Sequence, residues 1–233
     1  MTGLARQLAV VVVIAIVLSG PASRAQDVAA PPPRFDELVR ADLFAGFRGD
    51  SARLERAMRL CERALAQDRD QPDALAWHGA GLMFGAGEAA RRQDFGTAQE
   101  QARRGREEIE RAGRLAPESV SVMIVQATAF SAAAQTVPDA AHARLMRESA
   151  VAAFERLLVL RTPHLDRLSE HARGELLGGL AEGWLRLGRT DKARGYLQRI
   201  VEEMPGTRYQ ARARAWLEDG AGSAPLTCFT CHH

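Results

Sequence analysis

Apolar residues recur every three to four positions along most of this chain, and the stripes they form predict helices. After Gly49 and Asp50 the apolar set is Leu54, Ala57, Met58, Cys61, Ala64 and Leu65, one face of a 3.6-residue period. Asp94 is a good N-cap for a second amphipathic segment that aligns Ala98, Ala102, Ile109 and Ala112. A third carries Val151, Phe154, Leu157 and Leu158 at the same spacing. Two less polar stretches lie between them. Residues 73–84 contain Trp77 and Leu82-Met83, and residues 117–137 are apolar nearly all round. Val122 to Val125 has strand propensity, but the Ala-rich continuation favours a helix with Pro117 and Glu118 in its first turn. A helix apolar on every side has to be covered on several sides, as in the middle of a stack.

The punctuation between these helices repeats. Pro72, Pro117, Pro163 and Pro205 each follow an amphipathic helix, and by subtraction they stand 45, 46 and 42 residues apart. A period in this range marks stacked supersecondary units. A helix–turn–helix unit cannot bury its apolar face alone, so its neighbours must cover it. The pattern predicts an all-α fold of stacked antiparallel helix pairs over residues 34–219.

Residues 174–207 make the pattern specific. Leu177, Leu180, Ala181 and Trp184 precede Gly188 at an inter-helix turn, and Ala193, Leu197, Ile200 and Pro205 follow it. This segment resembles a tetratricopeptide repeat. Ile200 is bulkier than the family's usual Ala, and the upstream units are longer than the family's, so they are only tetratricopeptide-like. The resemblance implies a right-handed superhelix, an α-solenoid, whose concave groove binds a protein or peptide partner. Residues 208–217, with Trp216, read as a closing cap helix.

The ends carry different information. Residues 1–25 have one early positive charge, Arg6, an apolar run from Leu8 to Leu18, and small residues at Ser23 and Ala25. That is the layout of a cleaved signal peptide, so the chain is expected to be exported to the periplasm, with no membrane span after cleavage. Residues 26–33 form a Pro-rich leader. Residues 220–233 read as a flexible linker followed by a tail, expected to be isolated from the helical core.

That tail holds Cys228-Phe229-Thr230-Cys231-His232, a C-x-x-C-H sequence, which is the attachment pattern of c-type haem. Random placement of three cysteines and six histidines rarely generates it. Two thiols at this spacing suit addition to the two vinyl groups, and His232 adjoins the second thiol to take one axial position on the iron. A haem also needs an apolar wall and commonly a second axial ligand, for which His78, His142, His164 and His171 are candidates. The same tail also suits a zinc site using Cys228, Cys231, His232 or His233 and one further ligand, or a Cys228–Cys231 disulfide acting as a redox-active loop.

Composition narrows the rest. Lysine and arginine total 31 against 29 acidic residues, a net charge of +2 with no basic block, which points away from nucleic acid. No Walker loop, G-x-S-x-G or H-E-x-x-H motif is present, so the expectation is a binding and electron-transfer protein, not an enzyme. His171 and Glu175 share a helix face and read as a surface pair, His78 as a satisfied core or rim residue, and Cys61 as a buried small hydrophobe. Glu107, Glu108 and Glu110 read as a solvated face.

Overall fold

The computed structural model describes residues 33–220 and 225–227. Residues 1–25, where a signal peptide is expected, most of the Pro-rich leader, and Cys228, Cys231 and His232 lie outside the described residues. Among the described residues nine α-helices follow in order: α1 Phe35–Phe47, α2 Ser51–Gln67, α3 Pro72–Arg91, α4 Phe95–Leu115, α5 Val120–Thr136, α6 Ala140–Arg161, α7 Glu170–Arg186, α8 Thr190–Glu203 and α9 Arg208–Asp219. A 3₁₀ turn, Thr162–Arg167, joins α6 to α7, and there is no strand among the described residues. The expected all-α stack is the observed architecture.

Side-chain caps set most of the starts. Asp50, Asp94, Ser119, Asp139, Ser169 and Thr207 each accept a hydrogen bond from a backbone N–H in the first turn of the helix that follows. The central apolar helix therefore begins at Val120, and Pro117 and Glu118 fall in the preceding turn instead of in the helix. Ser119 captures the N–H of Val122 and fixes the boundary there. Gly188 ends α7 with a positive φ of 74°, which allows the reversal into α8.

Short connections make successive helices antiparallel neighbours. They pair as α1/α2, α3/α4, α5/α6 and α7/α8, with α9 closing the last pair. The periodic prolines mark the joints between pairs: Pro72 opens α3, Pro117 precedes α5, Pro163 lies in the 3₁₀ turn before α7, and Pro205 precedes α9. The first helices also meet each other, α1 against α3 and α3 against α5. The stripes face inward, with some of their residues fully buried and others, such as Leu54, Ala98 and Leu158, only partly so. Ala57 and Cys61 of α2, Ile109 and Ala112 of α4, and Ala193, Leu197 and Ile200 of α8 are all buried. Trp184 is half-buried against the cluster that includes Val151, Phe154 and Leu180, with the Lys192 ammonium of α8 3.8 Å from its ring centroid.

Two details hold particular pairs together. Asp42 of α1 accepts from the guanidinium groups of Arg56 (2.6 Å) and Arg53 (2.8 Å) of α2. The Arg56 hydrogen bond is the largest influence on its carboxyl and holds it below the usual carboxylate range. This contribution is complete above the ordinary carboxylate pKa and is lost as pH falls through the lowered folded value. In the second pair, α3 and α4 cross at Gly79 and Gly105. A Cβ on Gly105 would meet the Gly79 carbonyl oxygen at 2.6 Å and Met83 Cγ at 2.8 Å. Gly105→Ala is therefore expected to cost about 2 kcal/mol through overpacking, although alanine is the better helix former. Urea unfolding checks this, and a stabilised variant would show that the helices separate freely.

Candidate functional site

The last repeat contains a residue that helical periodicity does not explain. Glu182 lies in an otherwise small and apolar stretch of α7, Gly178-Gly179-Leu180-Ala181-Glu182-Gly183, and is 9% exposed. A buried carboxylate requires hydrogen-bond donors. They come from 44 and 45 residues downstream: the Leu226 N–H donates to Oε1 (3.3 Å) and the Thr227 hydroxyl to Oε2 (2.8 Å). Leu226 and Thr227 lie directly on this face of α7, since a Cβ at Gly178 would stand in ordinary contact, 3.4 Å from their atoms. Leu226 is fully buried and packs with Leu177, Ala181, Ile200 and Tyr209.

This corrects the expectation of a tail isolated from the core. Residues 225–227 are part of the folded body, because Leu226 finishes an apolar cluster and Thr227 satisfies a buried acid. The position of Cys228, which begins the C-x-x-C-H sequence, directly follows this anchor. The only hint in the sequence was the isolated acid on α7, and nothing local names its partner.

Thr227 lies in a recess between repeats, walled by Thr128, Ser131 and Gln135 of α5 and by Arg147 of α6. Thr128 also lines a second, larger space. That space is a cleft of about 420 Å³ enclosed by α1, α3 and α5, the first helices of three successive pairs. Its walls are aromatic. Phe44 meets Trp77 edge-on at 5.9 Å between centroids, and Phe47 leans on Phe84 at 4.9 Å. Val125 and a run of small residues on α5, Ala129, Ala132 and Ala133, form the opposite side. Arg48 and Arg91 stand among the lining residues. Trp77 is 5% exposed, and its buried indole N–H has no hydrogen-bond partner among the described residues.

The histidines named as second axial ligands occupy different settings. His78 is buried, and its Nδ1 donates to Glu108 Oε2 at 2.6 Å. Glu108 is thus not part of a purely solvated face; it reaches inward from α4 to satisfy the imidazole, while its other oxygen accepts from Arg104 (2.9 Å). His171 is exposed at the imidazole but donates to the Tyr209 hydroxyl (3.1 Å), which in turn donates to Glu175 (2.7 Å). Tyr209 is the buried member that sequence reading missed. His142 is exposed at the start of α6 beside Asp139, and His164 is exposed in the 3₁₀ turn.

Cys61 is a fully buried free thiol whose pKa is pushed up to about 12, chiefly by burial and further by the nearby Glu108 and Glu62 carboxylates. It stays protonated at ordinary pH and is not a nucleophile. A Cys228→Ala/Cys231→Ala variant, leaving only Cys61, is expected not to react with an aromatic disulfide reagent at pH 8 until denatured. Rapid labelling of the native variant would contradict the burial. Among the described residues, no cluster of three or more His, Cys, Asp or Glu is placed to hold a metal ion, and no helix is long and apolar enough to cross a membrane. No family model, curated protein or solved structure matches this chain.

Proposed function

We propose that this chain is an exported helical-repeat scaffold that carries a covalently attached c-type haem on its C-terminal segment and exchanges electrons with a protein partner met by its inner face. Cys228 and Cys231 would hold the macrocycle through their thiols, and His232 would offer an imidazole nitrogen to its iron. Each thiol adds across one vinyl group, sulfur to one carbon and hydrogen to the other, so no oxidant or reductant is consumed. The observation that carries the reading is the anchor: Thr227, immediately before the motif, is pinned to the buried Glu182. The motif then starts from a fixed point beside the inner helices. The donor set that the sequence supplies, two thiols and one imidazole, suits such a group. Bound there, haem supplies one-electron exchange, and the helical stack supplies position and a surface for the partner.

Intact mass of protein exported from a host competent in cytochrome c maturation tests the proposal. A shift matching one haem, absent from Cys228→Ala/Cys231→Ala, is expected. An unmodified chain overturns it. Stoichiometric zinc on that chain would then select a zinc site, and a loss of two hydrogens a Cys228–Cys231 disulfide.

A further inference from the structure

The cleft between α1, α3 and α5 has a polarity that runs along its length. These helices are the first members of successive antiparallel pairs, so they run the same way. Toward one end, Trp77 and Val125 belong to a single apolar cluster, with Phe44 and Phe47 packed against it. The hydroxyls along α5 add little polarity, because Thr128 donates to the Ile124 carbonyl (2.8 Å) and Thr136 to the Ala133 carbonyl (3.1 Å) of their own helix. Toward the other end stand the charged lining residues, Glu88 and Arg91 in the last turn of α3 and Arg48 at the end of α1. Glu88 and Arg91 pair with each other. Arg48 is exposed, and its side chain enters no ion pair or hydrogen bond among the described residues. Its charge is not taken up by the end of α1 either. The Ala45 carbonyl there already accepts backbone N–H groups from Arg48 and Asp50, and the Gly46 carbonyl accepts one from Gly49. One guanidinium is left over at the mouth of an otherwise apolar space.

At about 420 Å³ the cleft falls within the size range of small-molecule sites, roughly 300–1,000 Å³, which are mostly apolar with a few placed polar groups. We propose that it binds a small monocarboxylate with an apolar body, alkyl or aryl, whose carboxylate meets the Arg48 guanidinium. A guanidinium matches a carboxylate in both charge and bidentate geometry. A neutral apolar molecule would leave Arg48 unused, a cation would be repelled by it, and a dianion would bring its second charge toward Glu88. The apolar body lies against the rings of Phe47 and Phe84, where Ala129, Ala132 and Ala133 of α5 keep the facing wall low. The site is built from α1, α3 and α5 alone, so it does not rest on the haem reading.

The experiment is isothermal titration calorimetry on the full-length exported chain. The probes are octanoate and naphthoate, an alkyl and an aryl member of the class, each beside its primary amide as an uncharged counterpart of the same shape. Three variants are titrated, with far-ultraviolet circular dichroism as the check of folding. Gly87→Leu fills the cleft from α3, where a Cβ meets nothing nearer than the Arg91 guanidinium at 3.9 Å. Ala132→Leu fills it from α5. Arg48→Gln removes the charge at an exposed position. At least one carboxylate is expected to fill a single saturable site on the wild type and to bind about tenfold more tightly than its amide, the worth of one charge-assisted contact. Arg48→Gln is expected to remove that preference, and the filled variants to lose saturable binding while keeping the helical signal. No saturable heat with either carboxylate overturns the site. Equal binding of carboxylate and amide, or a preference that survives Arg48→Gln, overturns the anionic ligand. Unchanged binding to a folded, filled variant overturns the cleft, and if both filled variants unfold, the Arg48→Gln result decides.

Discussion

Replacing Tyr209 by alanine is expected to cost this protein about 4 kcal/mol, within the range for emptying a large buried aromatic site. Tyr209 is fully buried on the final helix and belongs to the cluster of Leu177, Ala181, Leu197 and Ile200 that joins α7, α8 and α9. Its ring lies directly over Gly174, where an added Cβ would come within 2.4 Å of it. Helix α7 has given up a side chain at that position to admit the ring, so nothing nearby can swing in to refill the cavity. The hydroxyl also donates to Glu175 and accepts from His171. Tyr209→Phe separates the two contributions and is expected to cost only about 1 kcal/mol, the net worth of a hydrogen bond. Denaturant midpoints at constant slope give both numbers. A loss below about 1 kcal/mol for Tyr209→Ala would show that the last helix is not needed to close the stack.

Ending the chain at Gly220 is expected to destabilise it by about 3 kcal/mol, whereas ending it at Thr227 leaves folding unchanged. The first truncation removes Leu226, whose full burial is worth about 1.5–3 kcal/mol. It also strips Glu182 of two donors, at about 1–3 kcal/mol for a buried group left unsatisfied. Water entering the vacated recess recovers part of the second contribution, which places the sum near the lower end of the combined range of about 2.5–6 kcal/mol. The second truncation keeps both contacts and removes only residues 228–233. Thermal melts of the two truncated proteins beside the full chain measure the difference directly. Equal stability of all three would mean that residues 225–227 do not hold their place on α7, and the fixed starting point of the C-x-x-C-H motif would be lost with them.

The sequence by itself determined the local features. Asp50 and Asp94 start helices because a side chain bonds a backbone N–H three residues away, and such an interaction is complete within one turn. Stripes such as Ala57 and Cys61, or Ala193, Leu197 and Ile200, identify the buried face because helix geometry converts spacing into direction. The prolines locate the joints because each restricts the residue before it. The C-x-x-C-H pattern is legible for the same reason, since its chemistry depends on the spacing of three neighbouring residues. Only the tertiary structure decided which distant groups meet. His78 and Glu108 are 30 residues apart, Tyr209 and Glu175 are 34 apart, and Thr227 and Glu182 are 45 apart. Each acid looks like surface charge in its own helix until another element covers it. The cleft is equally non-local: Phe44, Trp77 and Ala132 belong to three helices, and the space between them exists only once those helices have stacked. Periodicity states which face of a helix is buried, but the partner of that face depends on crossing geometry and long-range hydrogen bonding, which a one-dimensional pattern does not encode.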